Sequence, residues 1–221
     1  MSLLDDKIRK EVVELFENLK NPVKLIVFTR DDNVAVPGVE CQTCRDNQRL
    51  IDEISSLNDK ISVQYYDILK DTEQVKEYHV ANVPLTIVQG EKDFGIRLYG
   101  IPAGHEFATL LNAIQIVSSV DSGLSQETKD KLKTLKKPVH IQVFVTLSCP
   151  YCAPAASLGH RMALENEHIR ADMINAQEFP DLAQKYSVYA VPKVVINESI
   201  QFEGALPEHQ FVEKIMTAVV D

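Results

Sequence analysis

Lys137-Pro138-Val139-His140-Ile141-Gln142-Val143-Phe144 is a β-branched run, and Cys149-Pro150-Tyr151-Cys152 follows it directly before a helical stretch. Strand, Cys-x-x-Cys turn, helix is the local order that decides the fold, and the chain contains it twice. Asn21-Pro22-Val23-Lys24-Leu25-Ile26-Val27-Phe28 matches the run at an offset of 116, and Cys41-Gln42-Thr43-Cys44 matches the cysteine pair at 108. Val83-Pro84-Leu85-Thr86-Ile87-Val88 and Val191-Pro192-Lys193-Val194-Val195-Ile196 are also 108 apart, as are Asp67 and Asn175. Gly100 with His105-Glu106-Phe107 echoes Gly204 with His209-Gln210-Phe211 at 104. The chain is a tandem duplication. Each copy is domain-sized, so the repeat is a pair of domains and no solenoid. We place the domains at 1–119 and 120–221, with Ser118-Ser119-Val120-Asp121-Ser122-Gly123 as the linker. The first copy carries eight extra residues between Thr29 and Glu40, among them Asp31, Asp32, Pro37 and Gly38. They either shape partner choice or form a tolerated surface loop.

Periodicity assigns the same elements to both copies. A charged amphipathic helix (5–19, 125–135) precedes the first strand (23–28, 139–145). The Cys-x-x-Cys helix runs to about 57 and 165. A strand (62–67, 169–174), a short helix (72–79, 178–186), two strands (85–89 with 96–99, 193–197 with 200–203) and a closing helix complete each copy. Alternation of strand and helix predicts an α/β class. The last two strands share a tight turn and must be antiparallel, so each domain is expected to be a mixed four-stranded sheet flanked by helices.

Composition narrows the function classes. At 45% hydrophobic and 25% charged residues, the chain is neither collagen-like nor disordered. The net charge of −9 and the lack of a basic face argue against a nucleic-acid binder. The densest basic stretch, Lys131, Lys133, Lys136 and Lys137, is broken by Leu132 and Leu135 and reads as the wet face of a helix. No apolar run approaches the ~18 residues of a membrane helix. Acids in Met1-Ser2-Leu3-Leu4-Asp5-Asp6-Lys7 stand where a signal peptide is basic and apolar, so a cytoplasmic location is expected. No phosphate loop, nucleotide fingerprint or Gly-x-Ser-x-Gly elbow is present, and no cofactor is expected. Two Cys-x-x-Cys pairs leave three readings at this point: a redox dithiol at each, one Cys₄ metal site, or accident.

Cys-x-x-Cys at a strand-to-helix junction, followed by a Val-Pro that starts a later strand, resembles the thioredoxin superfamily, and Cys-Pro-Tyr-Cys resembles the glutaredoxin form of its site. Two such domains in one chain look like the protein disulfide oxidoreductases, glutaredoxin-like proteins of bacteria and archaea. The resemblance extends to the N-terminal module of the alkyl hydroperoxide reductase flavoprotein, which usually keeps only its second cysteine pair. It implies thiol–disulfide exchange at both sites, with Cys149 and Cys41 attacking and Cys152 and Cys44 resolving. A helix N-terminus favours the thiolate, and a second thiol three residues on reaches the mixed disulfide. Pro150 suits the first helical position, because its missing N–H has no partner to lose. Pro84 and Pro192, 43 residues after their first cysteines, match the family's cis-proline. With Val83, Val191, Pro150 and Tyr151 they are the expected substrate-binding residues. Glu40, beside Cys41, opposes its thiolate while Arg45 partly offsets it, so Cys149 is expected to ionise more readily.

Departures from the family shape the expectation of substrate and partner. The buried acid that thioredoxin carries six residues before its first cysteine is replaced here by Val143 and Ala35. The Thr-Val-Pro and Gly-Gly of glutathione-using glutaredoxins are replaced by Asn82-Val83-Pro84, Ala190-Val191-Pro192, Gly100-Ile101 and Gly204-Ala205, which favours protein disulfides as substrates. The histidines His105, His209, His160 and His140 read as structural, and none has zinc-module spacing, so no metal is expected. The resemblance implies a thioredoxin-reductase-type flavoprotein as electron partner. Two alternatives stand beside it: a dedicated electron carrier to a peroxiredoxin, and a binding module whose cysteines hold zinc.

Overall fold

A computed structural model describes residues 3–30 and 41–219. The first copy contains α1 (Asp6–Phe16), β1 (Val23–Thr29), α2 (Cys44–Ser55), β2 (Ile61–Asp67), α3 (Thr72–Glu77), β3 (Leu85–Gln89), β4 (Asp93–Tyr99) and α4 (Glu106–Ser119). The second repeats the order with α5 (Gln126–Lys133), β5 (Val139–Val145), α6 (Cys152–Glu165), β6 (Ile169–Asn175), α7 (Pro180–Lys185), β7 (Lys193–Ile196), β8 (Ile200–Glu203) and α8 (Glu208–Val219). Every expected element is present, with ends displaced by a few residues. Local chemistry sets several of those ends. Asp5 caps α1 by accepting from the Lys7 and Ile8 amides, Ser125 caps α5, and Pro180 occupies the first turn of α7.

The two expected four-stranded sheets are joined into one sheet of eight strands, in the order β2-β1-β3-β4-β6-β5-β7-β8. Within each copy the first two strands are parallel and the rest antiparallel, as the connections require. The join is a parallel ladder from Ile96↔Ala171 to Tyr99↔Ile174. Edge strands that would otherwise present unpaired amides therefore satisfy each other across the repeat boundary. Leu25 and Val27 point to one face, under α1, α2 and α4, while Ile26 and Phe28 point to the other, against α3. β5 divides likewise: Ile141 and Val143 lie under α5, α6 and α8, and Phe144 lies against α7. Burial on both faces explains why these strands read as apolar runs and not as alternating ones.

The seam between the repeats carries buried charge. Asp172 accepts from Arg170 through Nε at 2.8 Å and Nη2 at 2.9 Å, and stands 2.7 Å from His140 Nε2. Arg170 also donates to the Tyr99 hydroxyl across the seam, at 2.9 Å. Burial alone would raise the Asp172 carboxyl; His140 and Arg170 outweigh it and hold the group below the usual carboxylate range. From α6, His160 Nε2 lies 3.2 Å from the Arg97 carbonyl on β4. Burial pushes His160 down to about 4, so this ring is neutral near pH 7.

The stretch expected as a linker is tied down instead. Ser118 is buried at the end of α4, where its hydroxyl donates to the Asn21 carbonyl at 2.7 Å and accepts from the Lys20 and Asn21 amides. Ser122 donates to Glu165, and its carbonyl accepts from Arg161. The hydroxyls of Ser118 and Ser122 are thus hydrogen-bonded inside the fold.

Candidate functional site

Each cysteine pair lies where a central strand gives way to a buried helix, and each is closed as a disulfide. The Cα–Cα distances are 5.5 Å for Cys41–Cys44 and 5.4 Å for Cys149–Cys152. Cys44 and Cys152 are buried as the first residues of α2 and α6, whereas Cys41 and Cys149 are partly exposed. The accessible sulfur of each pair is thus the one that precedes the helix. Neither helix is capped by the side chain at its N-cap, Thr43 or Tyr151. First-turn amides are left to the sulfur that stands there.

Val83 and Pro84 line one cleft with Cys41, and Val191 lies against Cys149, the placement the resemblance implied. Val83–Pro84 and Val191–Pro192 are both cis peptides. Cys149 Sγ lies 3.7 Å from the Val191 carbonyl oxygen. The Pro84 and Pro192 carbonyls accept from Gly100 and Gly204, at 2.9 and 2.8 Å. Pro150 and Tyr151 are exposed beside Cys149. Tyr151 is the N-cap of α6 and Pro150 precedes it, so Pro150 lies outside the helix and not at its first position, because the helix opens only at Cys152. Both sites occupy the same edge of the sheet, at the carboxyl ends of β1 and β5. The intervening strand spacings put roughly 19 Å between those strands, too far for one Cys₄ cluster. Glu40, Ala35 and the eight-residue insertion lie outside the described residues.

Three side chains join these sites that the sequence did not single out: Glu106, Glu178 and Tyr189. Glu106, wholly buried, opens α4 beside the second pair. The preceding residue, His105, donates its amide to the Leu147 carbonyl at 3.0 Å, two residues before Cys149. Gly104, with φ of +58°, makes that approach possible, since a Cβ there would stand 2.5 Å from the Leu147 oxygen. α4 and α6 then run side by side, Ala108 to Gln115 facing Ala153 to Arg161. Glu106 precedes Ala108 by two residues and Cys152 precedes Ala153 by one, so both belong to the N-terminal ends of this helix pair. Burial pushes the Glu106 carboxyl up to about 7, against a 2.8 Å hydrogen bond from the Thr109 hydroxyl, and its Oε1 has no partner. The thioredoxin position, Val143, is buried and apolar, and the buried acid at this end of the helix pair is Glu106, from the other repeat.

Glu178, in the loop between β6 and α7, crosses the opposite way and reaches the first pair, where the Thr43 hydroxyl donates to it. The second pair is flanked by two exposed aromatics, Tyr151 at 69% and Tyr189 at 92% exposure. Repeat alignment held the only available signal: Glu106 pairs with Gln210, Glu178 with Lys70 and Tyr189 with Ala81. Such differences mark where the copies diverge but not what each side chain touches.

Fold and sites define a tandem thioredoxin-fold protein with two Cys-x-x-Cys pairs. The chain belongs to the thioredoxin domain family, which it matches over residues 32–112 and 139–217. It is similar to a protein disulfide oxidoreductase from Aeropyrum pernix K1, with a TM-score of 0.89 and 33% identity over 98% of this chain and 95% of that one. It is also similar to a structure of the Enterococcus faecalis alkylhydroperoxide reductase protein AhpF, with a TM-score of 0.85 and 26% identity over 96% and 99% of the two chains. Among curated proteins, the corresponding alkyl hydroperoxide reductase protein of Xanthomonas campestris pv. phaseoli is 26% identical over 97% of this chain, and a Bacillus subtilis NADH dehydrogenase 25% over 96%. The chain spans only 37% and 38% of the lengths of those two relatives.

Proposed function

We propose that this chain is a dithiol–disulfide oxidoreductase that forms, reduces or reshuffles protein disulfides through two sites, one in each of the domains 1–119 and 120–221. The observation that carries the reading is the doubled arrangement itself: an accessible cysteine, a buried cysteine one turn on, and a cis Val-Pro against them. In the reducing direction the Cys149 thiolate attacks a substrate disulfide, forming a mixed disulfide and releasing one substrate thiolate, which takes a proton. Cys152 then attacks the Cys149 sulfur, closes the intramolecular disulfide and releases the second substrate thiol. Two electrons pass to the substrate. Cys41 and Cys44 act likewise at the first site, and the Val191 and Val83 backbones, with Pro192, Pro84, Pro150 and Tyr151, receive the substrate strand.

Glu106 supports this chemistry at the second site as a proton acceptor. A buried carboxyl pushed up to about 7, at the same end of the α4–α6 pair as Cys152, is suited to take the proton the resolving thiol must lose. The implied electron source is a thioredoxin-reductase-type flavoprotein, and the location is cytoplasmic. Among the described residues no helix is long and apolar enough to cross a membrane. A second reading, electron carrier to a peroxiredoxin, is favoured by the likeness to the AhpF proteins across nearly the whole chain.

Equilibration in graded thiol–disulfide buffers, alkylation and peptide mass spectrometry test the proposal. Both pairs are expected to switch reversibly between dithiol and disulfide. If neither does across the range, the redox reading fails. Faster transfer to a peroxiredoxin than to insulin would decide for the second reading.

A further inference from the structure

The first cysteine pair borders a cleft of about 240 Å³, room for roughly one side chain, and the cleft is built by both repeats. Cys41, Gln42, Thr43, Val83 and Pro84 form one wall; Gln177, Glu178 and Pro180, from the loop after β6, form the other. Glu178 is fixed there by three donors. Its Oε1 accepts from the Ile101 amide at 2.9 Å and from Asn175 Nδ2 at 2.8 Å, and its Oε2 accepts from the Thr43 hydroxyl.

Three features set this acid apart from a surface glutamate. Thr43 stands at the N-cap of α2, where its hydroxyl would ordinarily accept from the helix's own amides, yet it donates across the repeat boundary. Gly100, with φ of +95°, leaves the space the carboxylate fills, since a Cβ there would lie 2.7 Å from Glu178 Oε1. Its counterpart Gly204 has nothing within 4 Å of the same point. The three donors are neutral, so they orient the carboxylate without cancelling its charge, and the partly exposed group keeps that charge on the cleft. At the second site the corresponding neighbourhood offers the neutral Tyr151 and Tyr189.

We propose that this composite cleft binds, for the first cysteine pair, disulfide partners carrying a cationic group beside the attacked sulfur, with Glu178 as the specificity-determining residue. The inference rests on the redox reading above. A fixed anion in the wall of the cleft that Cys41 borders attracts a lysine- or arginine-flanked cysteine and repels carboxylate-bearing thiols. It therefore adds an electrostatic ground, at this site, for the preference for protein over glutathione disulfides.

The reduced chain is mixed with cystamine, a dication, or with 3,3′-dithiodipropionate, a dianion. Each pair is read separately by quenched alkylation and peptide mass spectrometry. With cystamine, the Cys41 thiolate forms a mixed disulfide and releases one cysteamine; Cys44 then displaces the second, so two electrons and two protons leave the protein dithiol. In the wild type the cystamine-to-dithiodipropionate rate ratio is expected to be roughly tenfold higher at Cys41–Cys44 than at Cys149–Cys152, and to shrink at high salt. Glu178→Gln is expected to lower the ratio severalfold at the first pair and leave the second unchanged. Gln177→Glu, which keeps every Glu178 hydrogen bond, is expected to raise it. A first-pair ratio unmoved by both substitutions, with exchange still active, overturns this inference alone. Absence of exchange at both pairs overturns the redox reading beneath it.

Discussion

Replacing Glu106 with glutamine should change how the stability of this protein depends on pH. The carboxyl has an ordinary value of 4.5 and is pushed up to about 7 by burial. At roughly 1.4 kcal/mol per pH unit, a carboxylate raised that far destabilises the fold by about 3 kcal/mol once ionised. The direction follows from the protons bound. Between these two values the folded state holds a proton that the unfolded state has lost, so Glu106 makes stability fall as pH rises from 4.5 to about 7, after which its effect is constant. His160 acts in the opposite sense: its ordinary 6.5 is lowered to about 4, again by burial. There the unfolded state binds the extra proton, so stability is lost as pH falls from 6.5 towards 4. The two windows overlap, and in the wild type their slopes largely cancel between 4.5 and 6.5. Glu106→Gln removes one of them. Urea unfolding with both pairs oxidised, at intervals from pH 4.5 to 7.5, should show the variant gaining about 3 kcal/mol relative to the wild type across that range. His160→Leu should show the complementary result, a wild-type-minus-variant difference that grows as pH rises from 4 to 6.5. A Glu106→Gln difference that stays constant to within about 0.5 kcal/mol over the window would refute the placement of a protonated carboxyl in the α4–α6 seam.

Three further outcomes are expected. Tyr151→Ala with Tyr189→Ala should slow reaction of the second pair with a protein disulfide such as insulin about tenfold, because exposed aromatics dominate docking energetics, while cystamine reacts at an unchanged rate; stopped-flow mixing checks both. Asp172→Ala leaves the half-buried Arg170 without its carboxylate and should cost about 2 kcal/mol by urea unfolding. Gly104→Ala combines a positive φ with a clash on the Leu147 carbonyl and should cost about 2 kcal/mol by thermal unfolding, while slowing the second cysteine pair and not the first.

The elements, their order and the antiparallel end of each sheet were legible because they rest on local signals: β-branched runs, Cys-x-x-Cys openings, and two Val-Pro turns at one spacing. Repetition reinforced each signal with a second copy. What joined the repeats was not legible. The ladder from Ile96 to Tyr99 against Ala171 to Ile174 reads in sequence as two ordinary buried strands, and nothing local says that two edges meet. The same limit hid the acids. Glu106 and Glu178 each follow a loop and look like solvent-facing charges; only the packing of one repeat on the other makes one a buried carboxyl and the other the wall of a cleft. How Ser118 and Ser122 are held was hidden for a related reason, since small polar residues suit exposed linkers and buried hydrogen-bonded joints equally well.

The parallel ladder at the repeat boundary also acts as a ruler. A flexible tether would let two dithiols sample many separations, with an effective concentration set by its length. A continuous sheet holds them at one separation and one fixed relative orientation. A partner with a single reactive disulfide engages one head at a time and gains nothing from the second. A partner whose two cysteines match the span is held by a mixed disulfide at one end while the other end is presented to the second dithiol. For such a bivalent partner the rigid spacing substitutes for affinity, and duplication becomes a device for selecting substrates by the distance between their sulfurs.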